Sequence, residues 1–206
     1  MPAWAIVGFV TAHFDIDTVR ARLRRHRTVK QDAASRASVA MVLCEEDAQW
    51  HLLFIRRAEH PLDPWSGHMA LPGGRRDPSD SNDLSTAIRE TREEVGLELE
   101  RDAELLGAID DLRATAKGRT LDLVVAPFVF CVKTLTPIVP SHEVVAAHWA
   151  PIKPLLDGTA QTELSVTQPG GVIRVPAWNV AGNAVWGLTY RMVCSFFALA
   201  TASDAS

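Results

Sequence analysis

The chain has 206 residues, 47% of them apolar and 22% charged, enough apolar material for a core and no compositional case for wholesale disorder. Lysine and arginine total 21 against 25 aspartates and glutamates, a net charge of −4 that gives no basic excess to hold nucleic acid or an anionic membrane. No stretch reaches the roughly 18 to 20 consecutive apolar residues of a membrane helix.

The apolar N-terminal stretch Met1 to Phe14 lacks a positive leading segment, so no signal peptide and a cytoplasmic location are expected. Residues 15 to 27 open on a plausible cap, Asp15, and place Ile16, Val19 and Leu23 at helical spacing. The arginines of that helix read as a solvated face rather than a phosphate site. Ser38 to Cys44 and Trp50 to Arg56, separated by polar Glu45 to Gln49, read as a β-hairpin. A Pro- and Gly-rich loop, His60 to Gly74, follows, and a loop of that length inside a compact domain is often functional. Leu84 to Val95 is the next helix, capped from Asp83 and stopped by Gly96. Strands are expected at Glu104 to Ile109, Leu121 to Val132 with a bend at Pro127, and Val144 to Ala150. Then come a polar loop from Asp157 to Gly171, a short strand at Val172 to Trp178, and a last helix from Ala184 to Thr201. Residues 202–206 read as a loose tail. Strands and helices without regular βαβ alternation predict a mixed β-sheet with packed helices, an α/β fold in one domain. Cys44, Cys131 and Cys194 lie far apart in apolar runs and read as buried, reduced thiols. Trp149, Trp178 and Trp186 sit in or beside core elements and read as packing residues.

The helix over residues 84–95 carries the chemistry. At about 100° per residue, Leu84, Ile88, Thr91 and Val95 form a buried stripe, and Glu90, Glu93 and Glu94 gather on the flank away from it. Two explanations are open on the glutamates alone. One is a solvated acidic face offset by Arg89 and Arg92. The other is a site for a hard divalent cation, Mg²⁺ or Mn²⁺, which binds through carboxylates and substrate phosphates. The wider pattern favours the second, because a double glycine, Gly73 and Gly74, precedes Arg-Glu-x-x-Glu-Glu-x-Gly at a set distance.

That constellation resembles the box of the Nudix hydrolases, matched at Gly74, Arg89, Glu90, Glu93, Glu94, Gly96 and Leu97. Thr91 stands where an apolar residue is usual, and fourteen residues rather than thirteen separate Gly74 from Arg89, which puts Asp80 in the slot of the first box glutamate. Leu52 to Arg56, Gly74 to Asp80 and Trp186 to Thr189 are similar, in that order, to segments of the coenzyme A pyrophosphatase-like branch, so the resemblance spans roughly residues 15 to 200. The branch's substrate signature is partial: Gly67 falls in place, Leu71 replaces a phenylalanine, and Asp63 stands near an expected arginine.

The resemblance implies a Nudix-type α/β/α sandwich with a mixed sheet and a Mg²⁺- or Mn²⁺-dependent hydrolase. Its substrate is a small molecule with a nucleoside-linked diphosphate bridge, and coenzyme A would give 4′-phosphopantetheine and 3′,5′-ADP. ADP-ribose, a dinucleotide or a nucleoside triphosphate is the alternative substrate, and a nucleotide-binding regulatory module without catalysis the alternative class. By motif match Glu90 and Glu94 are metal ligands, Glu93 is a ligand or the water-activating base, the Gly73 carbonyl completes the sphere, and Arg89 orients a carboxylate. Among substrate contacts, Gly74 belongs to the motif.

Outside the motif, Glu143, in a loop before a strand, is the candidate second acid, with a surface acid as the alternative; its neighbour His142 reads as an exposed loop residue. Trp65 and His68 either contact a base or pantetheine arm or pin their loop to the domain. Arg56 and Arg57 either meet phosphate or end a solvent-facing strand. A homodimer is an expectation drawn from the apolar faces of the first and last helices.

Overall fold

The computed structural model describes residues 14–61, 65–116, 119–135, 137–168 and 170–202. The segment read for a signal peptide, all but its last residue, and the tail beyond residue 202 lie outside the described residues.

Helix α1 (Ile16–Arg25) starts where Asp15 accepts a hydrogen bond from the Thr18 backbone N–H at 2.8 Å, and it ends at Arg25 because His26 turns to an extended conformation. Val19 and Leu23 are buried. Its arginines are not simply solvated: Arg20 grips Glu104 through two hydrogen bonds of 3.0 and 2.9 Å, and Arg22 donates to the Ala200 carbonyl at 2.6 Å.

Strands β1 (Ser35–Glu46) and β2 (Gln49–Arg57) form the expected hairpin, closed by Asp47 and Ala48 at positive φ. They join short strands β3 (Met69–Ala70) and β4 (Gly73–Arg75), then β5 (Ala103–Ala108), β6 (Leu112–Ala116), β7 (Arg119–Val132) and β8 (Val144–Pro151) in one mixed sheet. β1 runs parallel to β7 from Ser35↔Leu123 to Cys44↔Val132 and antiparallel to β2 and β4. Alternation along β1 explains the layering. Met41 and Leu43 face a core shared with Phe54, Val129, Phe196 and Phe197, while Ala40, Val42 and Cys44 face a second core with Val95, Leu97 and Phe130. A strand buried on both faces reads as a continuous apolar run, and Ser38 to Cys44 is one.

Helix α2 (Asp83–Val95) covers one face of the sheet, and α5 (Gly187–Thr201) with α1 covers the other, an α/β/α sandwich as expected. Short α3 (Leu99–Asp102) and α4 (Ile152–Leu156) were not anticipated.

Three expectations are corrected. The polar segment read as a loop is strand β9 (Gln161–Gln168), which pairs with β10 (Gly171–Val180), itself paired with β11 (Asn183–Trp186), in a second, three-stranded sheet. The last helix therefore begins at Gly187 rather than Ala184, since Ala181 and Gly182 at positive φ turn the chain into a hairpin first. The cap of α2 is Asn82, in a reciprocal capping box with Ser85; Asp83 lies in the first turn and pairs with Arg36 instead. Cys44 and Cys194 are buried thiols, whereas Cys131 is half-buried. The apolar residues of α1 and α5 that suggested a dimer pack within the chain, where Val19, Leu23 and Phe196 share one core.

Arg36 fastens the front of the sheet. It donates to Asp83 at 2.7 Å, to Asp111 at 2.8 Å and to the Gln31 carbonyl at 2.7 Å, and the Asp111 side chain is fully buried. Burial works against ionisation of Asp83, but the hydrogen bonds and charge of Arg36 outweigh it and leave the carboxyl below its ordinary value. Arg36→Met leaves two carboxylates short of a partner and is expected to cost about 3 kcal/mol in urea denaturation. Because the Asp83 value is depressed, this contribution is present above about pH 4 and is lost as the pH falls below it, so the gap between wild type and variant narrows there.

Candidate active site

The site is built where α2 meets β4. Gly73 has φ of +150°, and a Cβ there would lie 2.2 Å from the Ser38 carbonyl oxygen, so only glycine lets β4 pair with β1 in the register Val39↔Gly73. At Gly74 a Cβ would lie 2.5 Å from the Glu90 carboxylate carbon. The missing side chain lets that carboxylate rest against the backbone.

The three glutamates sit in unlike settings. Glu94 is 2% exposed, not on an outward flank as expected, because β4 covers that side of α2. Its Oε2 accepts a 2.8 Å hydrogen bond from the Gly73 N–H, and Arg57 Nη1 lies 3.7 Å from Oε1. Burial pushes the Glu94 carboxyl up to about 8, against the opposing pull of the Gly73 N–H and Arg57, with Glu90 and Glu143 adding to the rise. The Glu90 side chain is 15% exposed and is also raised, by burial first, with Arg89 opposing. Glu93 is 53% exposed.

Arg89 links them. Its Nη1 lies 2.9 Å from Glu93 and 3.0 Å from Glu90, while Nε and Nη2 bind the two oxygens of Asp80 at 2.9 and 2.8 Å. Asp80 is buried and also accepts from Thr86 and from the Asp77 backbone N–H, each at 2.9 Å. The Arg89 hydrogen bonds outweigh burial and hold Asp80 well below the usual carboxylate range. In this structure Asp80 anchors an arginine. Thr91, the departure from the motif, is fully buried and donates to the Ala87 carbonyl at 2.7 Å, which lets a hydroxyl occupy an apolar position.

A cleft of about 1070 Å³ opens beside β4. Gly73, Gly74, Arg57, Trp65, His68 and Glu143 all line it, so the structure brings together six residues singled out in the sequence. Arg56, half-buried beside Met69, is not among the lining residues. The Glu143 side chain is 64% exposed, and its backbone carbonyl accepts from the Ala58 N–H at 2.8 Å, which holds it at the rim. Trp186 was read as packing only, yet it lines the cleft with its ring 5.0 Å from that of His68. No sequence signal revealed the part played by β9, which supplies Val166 to the same cleft. Asp63 lies outside the described residues.

Oxygen donors alone make up the acidic group, a set suited to Mg²⁺ or Mn²⁺. Among the described residues, no three His, Cys, Asp or Glu side chains stand together as a ready-made cation cage, and Arg89 holds the exposed Glu93. The fit rests on Glu90 and Glu94, two carboxylates of raised proton affinity beside the main chain of Gly73 and Gly74. No helix of the described residues is long and apolar enough to cross a membrane.

Comparison with known proteins places this geometry. A Schizosaccharomyces pombe protein of unassigned function is 36% identical over 154 residues, 64% of this chain and 46% of that protein. Mouse peroxisomal coenzyme A diphosphatase is 36% identical over 85 residues, 40% of this chain and 36% of that enzyme. The matches thus span less than half the length of these two relatives. A Nudix hydrolase from Yersinia pestis is 30% identical over 160 residues, 77% of this chain and 76% of that protein. A MutT/nudix family protein from Enterococcus faecalis shares the fold, with a TM-score of 0.53 at 15% identity over 89% of this chain and 68% of that one. Residues 34–168, more than half of the chain, match the NUDIX domain, and the protein belongs to the Nudix family.

Proposed function

We propose that the protein hydrolyses the diphosphate bridge of a nucleoside diphosphate-linked small molecule, with Mg²⁺ or Mn²⁺ held by Glu90 and Glu94, and that coenzyme A or a derivative is the first substrate to test. The observation that carries the reading is the pair of half-buried and buried glutamates on α2, set against two glycines whose backbone lines a large cleft. The partial similarity to the mouse coenzyme A diphosphatase favours coenzyme A over ADP-ribose, a dinucleotide or a nucleoside triphosphate. Three free thiols accord with a reducing, cytoplasmic setting.

Hydrolysis requires water to attack phosphorus while negative charge grows on the bridging and terminal oxygens. A divalent cation held by Glu90 and Glu94 would neutralise that charge and polarise the diphosphate. The Gly73 carbonyl is the main-chain oxygen assigned to complete its sphere. Arg57, lining the cleft near Glu94, adds a fixed positive charge for a phosphate oxygen. Glu143 is assigned the proton from the attacking water, because it sits on the cleft rim, whereas the Glu93 carboxylate is gripped by Arg89. Arg89 and Asp80 act behind these groups by holding Glu90 and Glu93 in place.

Glu94→Gln keeps the shape of the side chain and is expected to lower metal-dependent kcat/KM by about a thousandfold while the circular dichroism and melting temperature stay near wild type. Full activity in that variant sinks the ligand assignment. Asp80→Ala is expected to cost about ten- to a hundredfold in kcat, with the loss carried mostly in kcat rather than KM, since Asp80 acts through Arg89. Product chromatography with Mg²⁺ and with Mn²⁺ over coenzyme A, acyl-coenzyme A, ADP-ribose, NADH and nucleoside triphosphates tests the reaction class. Diphosphate cleavage of at least one compound is the expected result, and binding without turnover of any replaces the enzyme by a regulatory module.

A further inference from the structure

The cleft is lined by two unlike groups of residues. One is polar, with Arg57, Arg75 and Glu143 beside the Gly73–Gly74 backbone. The other comes from β9, β11 and α5, which contribute Val166, Trp186, Leu188 and Met192 with the uncharged Thr167, Gln168 and Thr189, and no residue they place on the cleft, among those described, carries a charge. Leu123 and Val125 of β7 line it as well.

The uncharged wall is preformed. Thr189, buried in the first turn of α5, donates to the Met69 carbonyl at 3.2 Å, which ties the start of the helix to β3. The His68 and Trp186 rings lie 5.0 Å apart and close the same corner. The backbone of β11, paired to β10 from Val180↔Asn183 to Ala177↔Trp186, fixes where the indole starts. A cavity of about 1070 Å³ gives far more room than a diphosphate bridge takes up. A charged end group placed against Val166, Trp186, Leu188 and Met192 would lose hydration without a charged partner, whereas an apolar one would gain from burial.

We infer that the wall formed by Val166, Trp186, Leu188 and Met192 binds an apolar group joined through the diphosphate to a nucleoside, and that the length of that group sets substrate preference. The inference rests on the hydrolase reading above and names the part of the substrate that lies beyond the cleaved bridge. Wall binding is realised mainly in substrate affinity, so its signature is in KM and Kd.

The test is a series of adenosine diphosphate n-alkyl esters, from methyl to octyl, whose cleavage to AMP and an alkyl phosphate is followed by chromatography with Mn²⁺. Expected is a rise in kcat/KM of about threefold to fourfold per methylene until the cleft is filled, carried by KM. Leu188→Asp adds a carboxylate to the wall in the first turn of α5, where an acid suits the helix, and is expected to flatten the series, bringing the octyl-to-methyl ratio of kcat/KM down toward one. Val166→Asp, on partly exposed β9, repeats the substitution from a second element. Binding of the same esters, measured calorimetrically with Ca²⁺ in place of Mn²⁺, is expected to show the same ranking in Kd. Absent turnover with a chain-length trend in Kd overturns the hydrolase reading and keeps the wall. A flat series in both measurements overturns the wall, as does a trend that both Asp variants leave intact.

Discussion

The site depends on one buried contact, the hydrogen bond from the Gly73 N–H to the Glu94 carboxylate. A carboxylate at 2% exposure is costly to ionise, and a single main-chain donor with Arg57 at 3.7 Å offsets that cost only in part. The contact exists because β4 adds to the edge of β1 with Gly73 in a conformation that side chains avoid, aiming its N–H at α2. Gly74 then leaves room for Glu90 on the next turn of the helix. Two residues without side chains thereby hold two carboxylates against a stretch of backbone that lines the cleft, in a state of raised proton affinity that a divalent cation would relieve.

The arginine between the glutamates shows how a change in loop length is absorbed. Arg89 uses one edge of its guanidinium on Asp80 and the remaining nitrogen on Glu90 and Glu93. The loop before α2 has one residue more than the usual box, and a tight turn takes it up: the Asp80 N–H donates to the Asp77 carbonyl, and the Asp77 N–H donates to the Asp80 carboxylate, both at 2.9 Å. A shorter acid is thus delivered to the arginine by a folded-back loop. The like charges on α2 are tolerated because this cation stands among them, and its own position is fixed by an acid from outside the helix.

The cleft itself is a product of two sheets. The larger sheet supplies β4, the turn before β8 supplies the rim residue Glu143, and the smaller sheet, through β9 and β11, supplies an uncharged wall that α5 continues. Charged and apolar side chains therefore line one space, the apolar ones brought largely by the second sheet and α5.

Much of this was legible in the residues alone. The apolar runs of β1 and β7 announce buried strands, the glycine after Val95 announces the end of α2, and the spacing of Arg89, Glu90, Glu93 and Glu94 announces the family. These signals are local: period, cap and spacing act within a few turns of chain. Other features were not local. Glu94 was assigned to the outward flank because helical geometry alone sees no β4, and β9 looked like a loop because only Leu164 and Val166 alternate along an otherwise polar, exposed strand. The pairing of Asp80 with Arg89, the meeting of Trp186 with His68 across more than half the chain, and the uncharged wall all join segments distant in sequence. The sequence by itself determined which family the α2 carboxylates mark; only the tertiary structure decided which of them is buried and what holds it, because burial and charge pairing depend on neighbours brought from elsewhere in the chain.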